Sequence, residues 1–199
     1  MNTELNNTNT SDARKEINSK LIQYFNEALS AENAAVERIK SRIEECPIPE
    51  AKQKLQHHLE ETVNQQNRLK SIIEKRGGSP TDSKAHLPEL SPPTIMMMSK
   101  AAKDTMKSLT GDADNPLPDE MELTRMKNDA IIEHGEIVAY TALIELAKKA
   151  GAQDDAITSL EQNLNEEKEM ASWLMNNTPS MVDQMWPKIE AAITAGKNH

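Results

Sequence analysis

One cysteine, one phenylalanine, two tyrosines and two tryptophans are all that the 199 residues hold of those types, and glycine occurs six times. An aromatic content of 3% argues against β-sandwiches and barrels, whose strands favour aromatic and β-branched side chains. With Cys46 alone, the chain forms no internal disulfide, no thiolate zinc site and no iron–sulfur cluster by itself. The net charge of −9 and dispersed lysines and arginines speak against binding a phosphate backbone, so no nucleic-acid partner is expected. No apolar run approaches a membrane span, and the Asn/Thr-rich start contains no apolar signal segment. A cytoplasmic protein without a membrane partner is the expectation.

What is plentiful is Ala, Glu, Lys, Leu and Met, an all-helical composition on a chain long enough for one sizeable core. Residues 1–12 are polar and expected to form a disordered N-terminal arm. Ser11 and Asp12 offer a cap for a first helix ending before Pro47. A second helix runs from Pro49, a residue suited to a first turn, to the stop at Gly77-Gly78. Residues 77–118 hold most of the prolines and three of the six glycines. They read as a long crossover containing a short amphipathic helix near 93–109, with the Met96–Met98 run as packing material. A third helix spans about 118–150, stopped by Gly151, and a fourth about 154–176, ended before Thr178-Pro179. A short C-terminal helix within 178–199 presents Met181, Met185, Ile189 and Ile193 on one side. Two tight helix pairs joined by one long crossover predict a ferritin-like four-helix bundle over residues 13–177.

Three of the long helices carry a glutamate where their apolar periodicity calls for a core residue. Glu32 falls in the series Leu21, Phe25, Ala28, Ala35, Ile39; Glu133 in Met126, Ala130, Ile137, Tyr140, Ile144, Ala147; and Glu167 in Ile157, Leu160, Leu164, Ala171, Leu174. Side chains so spaced share one helix face. A buried carboxylate without a partner costs several kcal/mol, so several converging in one core ask for a cation. On the second helix the seam Leu55, Leu59, Thr62, Gln66, Leu69, Ile73 leaves Glu61 off-centre, on one side with His58 and Gln65. Glu61 is the candidate there, with His58 one turn earlier as a ligand or a flanking support. Glu136, three after Glu133, can share a bridging role with it. Glu60, Glu166 and Glu169 read as solvated charges, and Tyr140 as a packed residue with a bonded hydroxyl. Carboxylates at this density select iron or manganese over soft ions.

The segments His58-Leu-Glu-Glu-Thr62, Glu133-His-Gly-Glu-Ile137 and Leu164-Asn-Glu-Glu-Lys168, with Ser30-Ala-Glu32, resemble the signature segments of the YciE/YciF-type ferritin-like family, a stress-associated group. The similarity covers roughly residues 17–176, and it extends to Ser91-Pro-Pro93 and the Asn177-Thr-Pro-Ser-Met181 tail of one branch. It implies a ferritin-like bundle, usually a homodimer, with a di-metal carboxylate site. Related di-iron proteins place Glu-x-x-His on two helices; here Asn64 stands three after Glu61 and Met170 three after Glu167. The cysteine pairs of rubredoxin-type electron delivery are also missing.

The function expected is therefore that of a bundle binding two metal ions per chain, iron first with manganese or zinc as alternatives. Glu61, Glu136, Glu133 and Glu167 would bridge them and Glu32 would be terminal, with reaction toward oxygen or peroxide in stress protection. The alternative is a non-catalytic stress or interaction protein with a degenerate site.

Overall fold

The computed structural model describes residues 2–85 and 118–196. They form four helices: α1 (Asn2–Glu45), α2 (Pro49–Lys75), α3 (Pro118–Lys149) and α4 (Asp154–Gly196), with no strand among the described residues. The expected crossover helix and the Met96–Met98 run lie outside the described residues.

The first of two compact units takes in α1, α2, α3 from Glu133 onward and α4 up to Met170. Pro49 opens α2 at a position where its missing N–H is not needed. Glycine closes α2 and α3 in the same way. Gly77, at φ +78°, donates to Glu74 O while Gly78 N–H reaches Ile73 O. Gly151, at φ +68°, donates to Lys148 O while Ala152 N–H reaches Ala147 O. These paired bonds satisfy carbonyls that a helix end leaves without partners, and the left-handed residue suits glycine.

The core draws on all four helices: Leu21, Phe25 and Leu29; Leu69, Ile72 and Ile73; Tyr140, Leu143, Ile144 and Ala147; Ala156, Leu160 and Leu164. Each fully buried Leu, Ile or Phe contributes about 1.5–3 kcal/mol of transfer free energy. The middle of α1 and the start of α4 thus meet the ends of α2 and α3, so α2 and α3 run parallel. A tight turn cannot join parallel neighbours, and the long connection between them is that of a ferritin-like four-helix bundle. Residues 79–85 lie along α1, where Asn26 and Asn33 donate to the carbonyls of Ser79, Thr81 and Ser83, and Ala85 N–H donates to Ser30 O.

The second unit contains α3 up to Ile132 and α4 from Ala171. Met126, Leu174, Met181, Met185 and Ile189 are buried, as is Glu122, which lies 3.9 Å from Arg125. Ile193, expected beside them, is exposed.

Two boundaries differ from expectation. The helix begins at Asn2, where residues 1–12 read as a disordered arm, because Ser11 and Asp12 sit inside a helical run and do not cap it. The fourth and last helices are one: α4 continues through Pro179 and Pro187. Proline removes a helix hydrogen bond, and beyond Pro179 the buried Met181, Met185 and Ile189 keep the chain packed in helical register.

Candidate metal centre

On α2 the buried positions are Ala51, Leu55, His58, Thr62, Gln65, Leu69, Ile72 and Ile73, a heptad-like series that keeps the expected Leu55, Thr62, Leu69 and Ile73 and centres His58 and Gln65. The expected seam members Leu59 and Gln66 are only partly buried. The shift is about one residue, and it turns His58 from a flank residue into the middle of the bundle. Glu32, Glu133 and Glu167 are 2%, 1% and 1% exposed, as their periodicity predicts.

One ligand atom each from His58, Glu133 and Glu167 lies within 4.8 Å of the others. His58 Nε2 is 3.1 Å from Glu133 Oε2 and 3.7 Å from Glu167 Oε2. Neither oxygen is aligned for a hydrogen bond, and both are counted among the buried atoms without a hydrogen-bond partner. His58 Nδ1 faces the other way, 3.1 Å from Glu61 Oε2. The other Glu61 oxygen is 3.2 Å from the exposed His57. Glu61 therefore holds the imidazole from behind, the arrangement that orients a metal-ligating histidine.

Glu32 accepts a short hydrogen bond from the Tyr140 hydroxyl. That hydroxyl accepts in turn from Asn163 Nδ2 at 2.9 Å, and Asn163 Oδ1 accepts from Arg68 Nε at 2.5 Å. A four-residue chain thus connects α1, α3, α4 and α2. Glu133 Oε1 is 3.2 Å from Arg38 Nη2, and Gln65 Nε2 donates to Glu167 Oε1 at 2.5 Å. Glu136 is buried and its Oε1 has no hydrogen-bond partner. Glu166, expected to be solvated, is mostly buried and paired with Arg68.

The electrostatics are those of crowded, dry carboxylates. Burial drives Glu32 up to about 7, against the bond from Tyr140. Glu136 and Glu167 are pushed well above the ordinary carboxylate range, first by burial and then by neighbouring carboxylates. Burial opposes charge on His58, but Glu133 and Glu61 outweigh it and raise the imidazole to about 9. Burial also opposes charge on Glu133, yet His58 and Arg38 hold it down near 2. The Tyr140 hydroxyl is raised by burial and by Glu32.

The donors suit a hard or borderline cation: carboxylate oxygens with one imidazole nitrogen and, among the described residues, no hydrogen-bond partner for three buried carboxylate oxygens and no thiolate. Of the six residues singled out from sequence, His58, Glu133 and Glu167 bring one potential ligand atom each to the same place. Glu32 is tied to Tyr140, Glu61 to two histidines, and Glu136 to no hydrogen-bond partner. Periodicity missed Gln65, Asn163, Arg38 and Arg68. The first two repeat with His58 and Glu167 at spacings of seven and four, a pattern available to the eye. The two arginines sit on helix flanks and carry no such signal.

Two solved structures share this fold. A crystal structure of a protein from Xanthomonas campestris is 22% identical, with a TM-score of 0.63, covering 87% of this chain and 99% of its own. YcfI from Rhodopseudomonas palustris, provisionally called a structural protein, is 26% identical with a TM-score of 0.60, covering 79% and 92%. The sequence profile described as Domain of unknown function (DUF892) matches residues 16–186, so the chain belongs to that family.

Proposed function

We propose that this bundle binds transition-metal ions, two per chain and iron first, at the waist of its first unit. The observation that carries the reading is the buried His58–Glu133–Glu167 set, whose facing carboxylate oxygens have no hydrogen bonds. His58 Nε2 would ligate, Glu133 and Glu167 would bridge, Glu32 and Glu136 would complete the set, and Glu61 would fix the imidazole tautomer. Manganese or zinc would fit the same donors. Iron held by these residues would supply redox chemistry toward dioxygen or peroxide, consistent with the stress-linked YciE/YciF resemblance. The residues of the chain exclude bulk water, hold the ligands at one level, and keep Tyr140 bonded to Glu32. Metal analysis of protein purified without chelator, with anaerobic ferrous titration, tests this. The expected result is about two equivalents per chain, lost in Glu133→Ala; no uptake of any transition ion refutes it.

A non-catalytic reading has its own support. Arg38 and a protonated His58 already offset Glu133, and Asn64 and Met170 stand where Glu-x-x-His imidazoles would be. Under it, Glu167→Gln holds or raises the melting temperature of untreated protein, because an uncompensated buried carboxylate has been removed. Under the metal reading the same change lowers it.

We also propose a homodimer. Met175, Val182 and Trp186 are exposed at helical spacing on α4, Trp186 by 54%. Light scattering should give twice the 22.2 kDa chain mass, and Trp186→Glu should shift it toward the monomer.

A further inference from the structure

From the structure we infer that metal cations reach the centre through one groove between α1 and α3, with Glu136 as the carboxylate that receives them. The inference rests on the metal reading above. The groove encloses about 260 Å³ and is walled by Ala28 and Ala31 on α1 and by Ala139 and Ala142 on α3. Glu27 stands at its exposed rim, and the buried Glu32 and Glu136 form its inner wall. Small side chains would mean little alone. What points to a ligand is Glu136: 9% exposed, lining the groove, with a carboxylate oxygen that no donor among the described residues satisfies.

Size and charge both fit a hydrated cation. The six waters around a divalent ion occupy about 180 Å³ at roughly 30 Å³ each, within the volume of the groove. Carboxylates stand at its rim and at its inner wall, and among the described residues no Lys, Arg or His lines it. The other approaches differ. Arg38 lies against Glu133, and Arg68 spans Asn163 and Glu166 on the α2–α4 side. A fixed positive charge repels an incoming cation, whereas acidic groups between apolar walls focus the field and draw one in. The stretch 79–85 leaves the groove open, since it follows Asn26, Ser30 and Asn33, roughly 160° around α1 from Tyr24, Ala28 and Ala31.

The test is stopped-flow absorbance of cobalt(II) binding to chelator-stripped protein, with final stoichiometry measured separately. Ala139→Phe plugs the groove from an exposed α3 position, and Glu27→Lys reverses the rim charge on exposed α1 surface. Both should keep the wild-type stoichiometry and load at least about tenfold more slowly, with the Glu27→Lys deficit shrinking at high salt. If wild type loads and both variants match its rate, the route is wrong and the metal centre stands. If wild-type protein takes up no cobalt, the metal centre and the route fall together.

Discussion

Removing a single oxygen atom, in Tyr140→Phe, strands two buried groups at once. Glu32, 2% exposed, loses the donor on its Oε1, and Asn163, fully buried, loses the acceptor for its Nδ2. A hydrogen bond to a charged group is worth about 1.5–3 kcal/mol and a neutral one about 0.5–1.5, and neither site admits bulk water as a substitute. The expected loss is about 2–4 kcal/mol. For a chain of this length that lowers the melting temperature by roughly 4–16 °C. Thermal or urea unfolding of chelator-treated protein, followed by circular dichroism, measures it. Tyr24→Phe is the control: Tyr24 is only partly buried and its hydroxyl has no hydrogen-bond partner among the described residues. It should change stability by less than about 0.5 kcal/mol. The double variant Tyr140→Phe/Asn163→Leu should cost less than the sum of its singles, because both cut the same bond. A Tyr140→Phe protein as stable as wild type would refute the polar chain as a structural element.

Three further outcomes are expected. His58→Ala removes the imidazole from between Glu61, Glu133 and Glu167; metal-free protein should lose about 3–5 kcal/mol, measured by urea titration, and ferrous ion should no longer bind. Metal-free stability should fall as pH rises from about 4.5. Glu32, Glu136 and Glu167 have folded pKa values above 4.5, so ionising them opposes folding, and the stability from His58, complete below 6.5, is lost as pH passes 9. Glu133 works the other way only in acid, where its contribution disappears as pH falls toward 2; melting temperatures across pH 3–9 that peak at the alkaline end would contradict this. Gly78→Ala places a Cβ 2.6 Å from Ile22 Cγ2 and 3.0 Å from Ile73 Cγ2, and should cost about 1–3 kcal/mol by overpacking, whereas Gly135→Ala meets no heavy atom within 4 Å.

Much of this architecture was legible because helix periodicity is strict. Glu32, Glu133 and Glu167 interrupt apolar series, and any helix that buries Leu21 and Ile39, or Leu160 and Leu174, must bury the glutamate between them. The stops at Gly77 and Gly151 were equally plain, since a left-handed residue at a helix end has few alternatives. On α2 the signal was ambiguous. Leu59 competes with His58 and Gln66 with Gln65, and hydrophobicity favours Leu59. The choice is made by tertiary partners, the carboxylates of α3 and α4, which no local pattern contains. The continuity of α4 through two prolines escaped for a related reason: proline predicts a break, while Met181, Met185 and Ile189, buried beyond Pro179 at helical spacing, hold the segment in the helix through tertiary packing.

The presence of one imidazole among five carboxylates makes the cluster lopsided. Under the metal reading, an ion against Nε2 of His58 would meet nitrogen and oxygen, whereas a second one held by Glu32 and Glu136 would meet oxygen alone. Occupancy should accordingly build in two unequal stages, a tight one that ranks ions by their appetite for nitrogen and a looser one that does not.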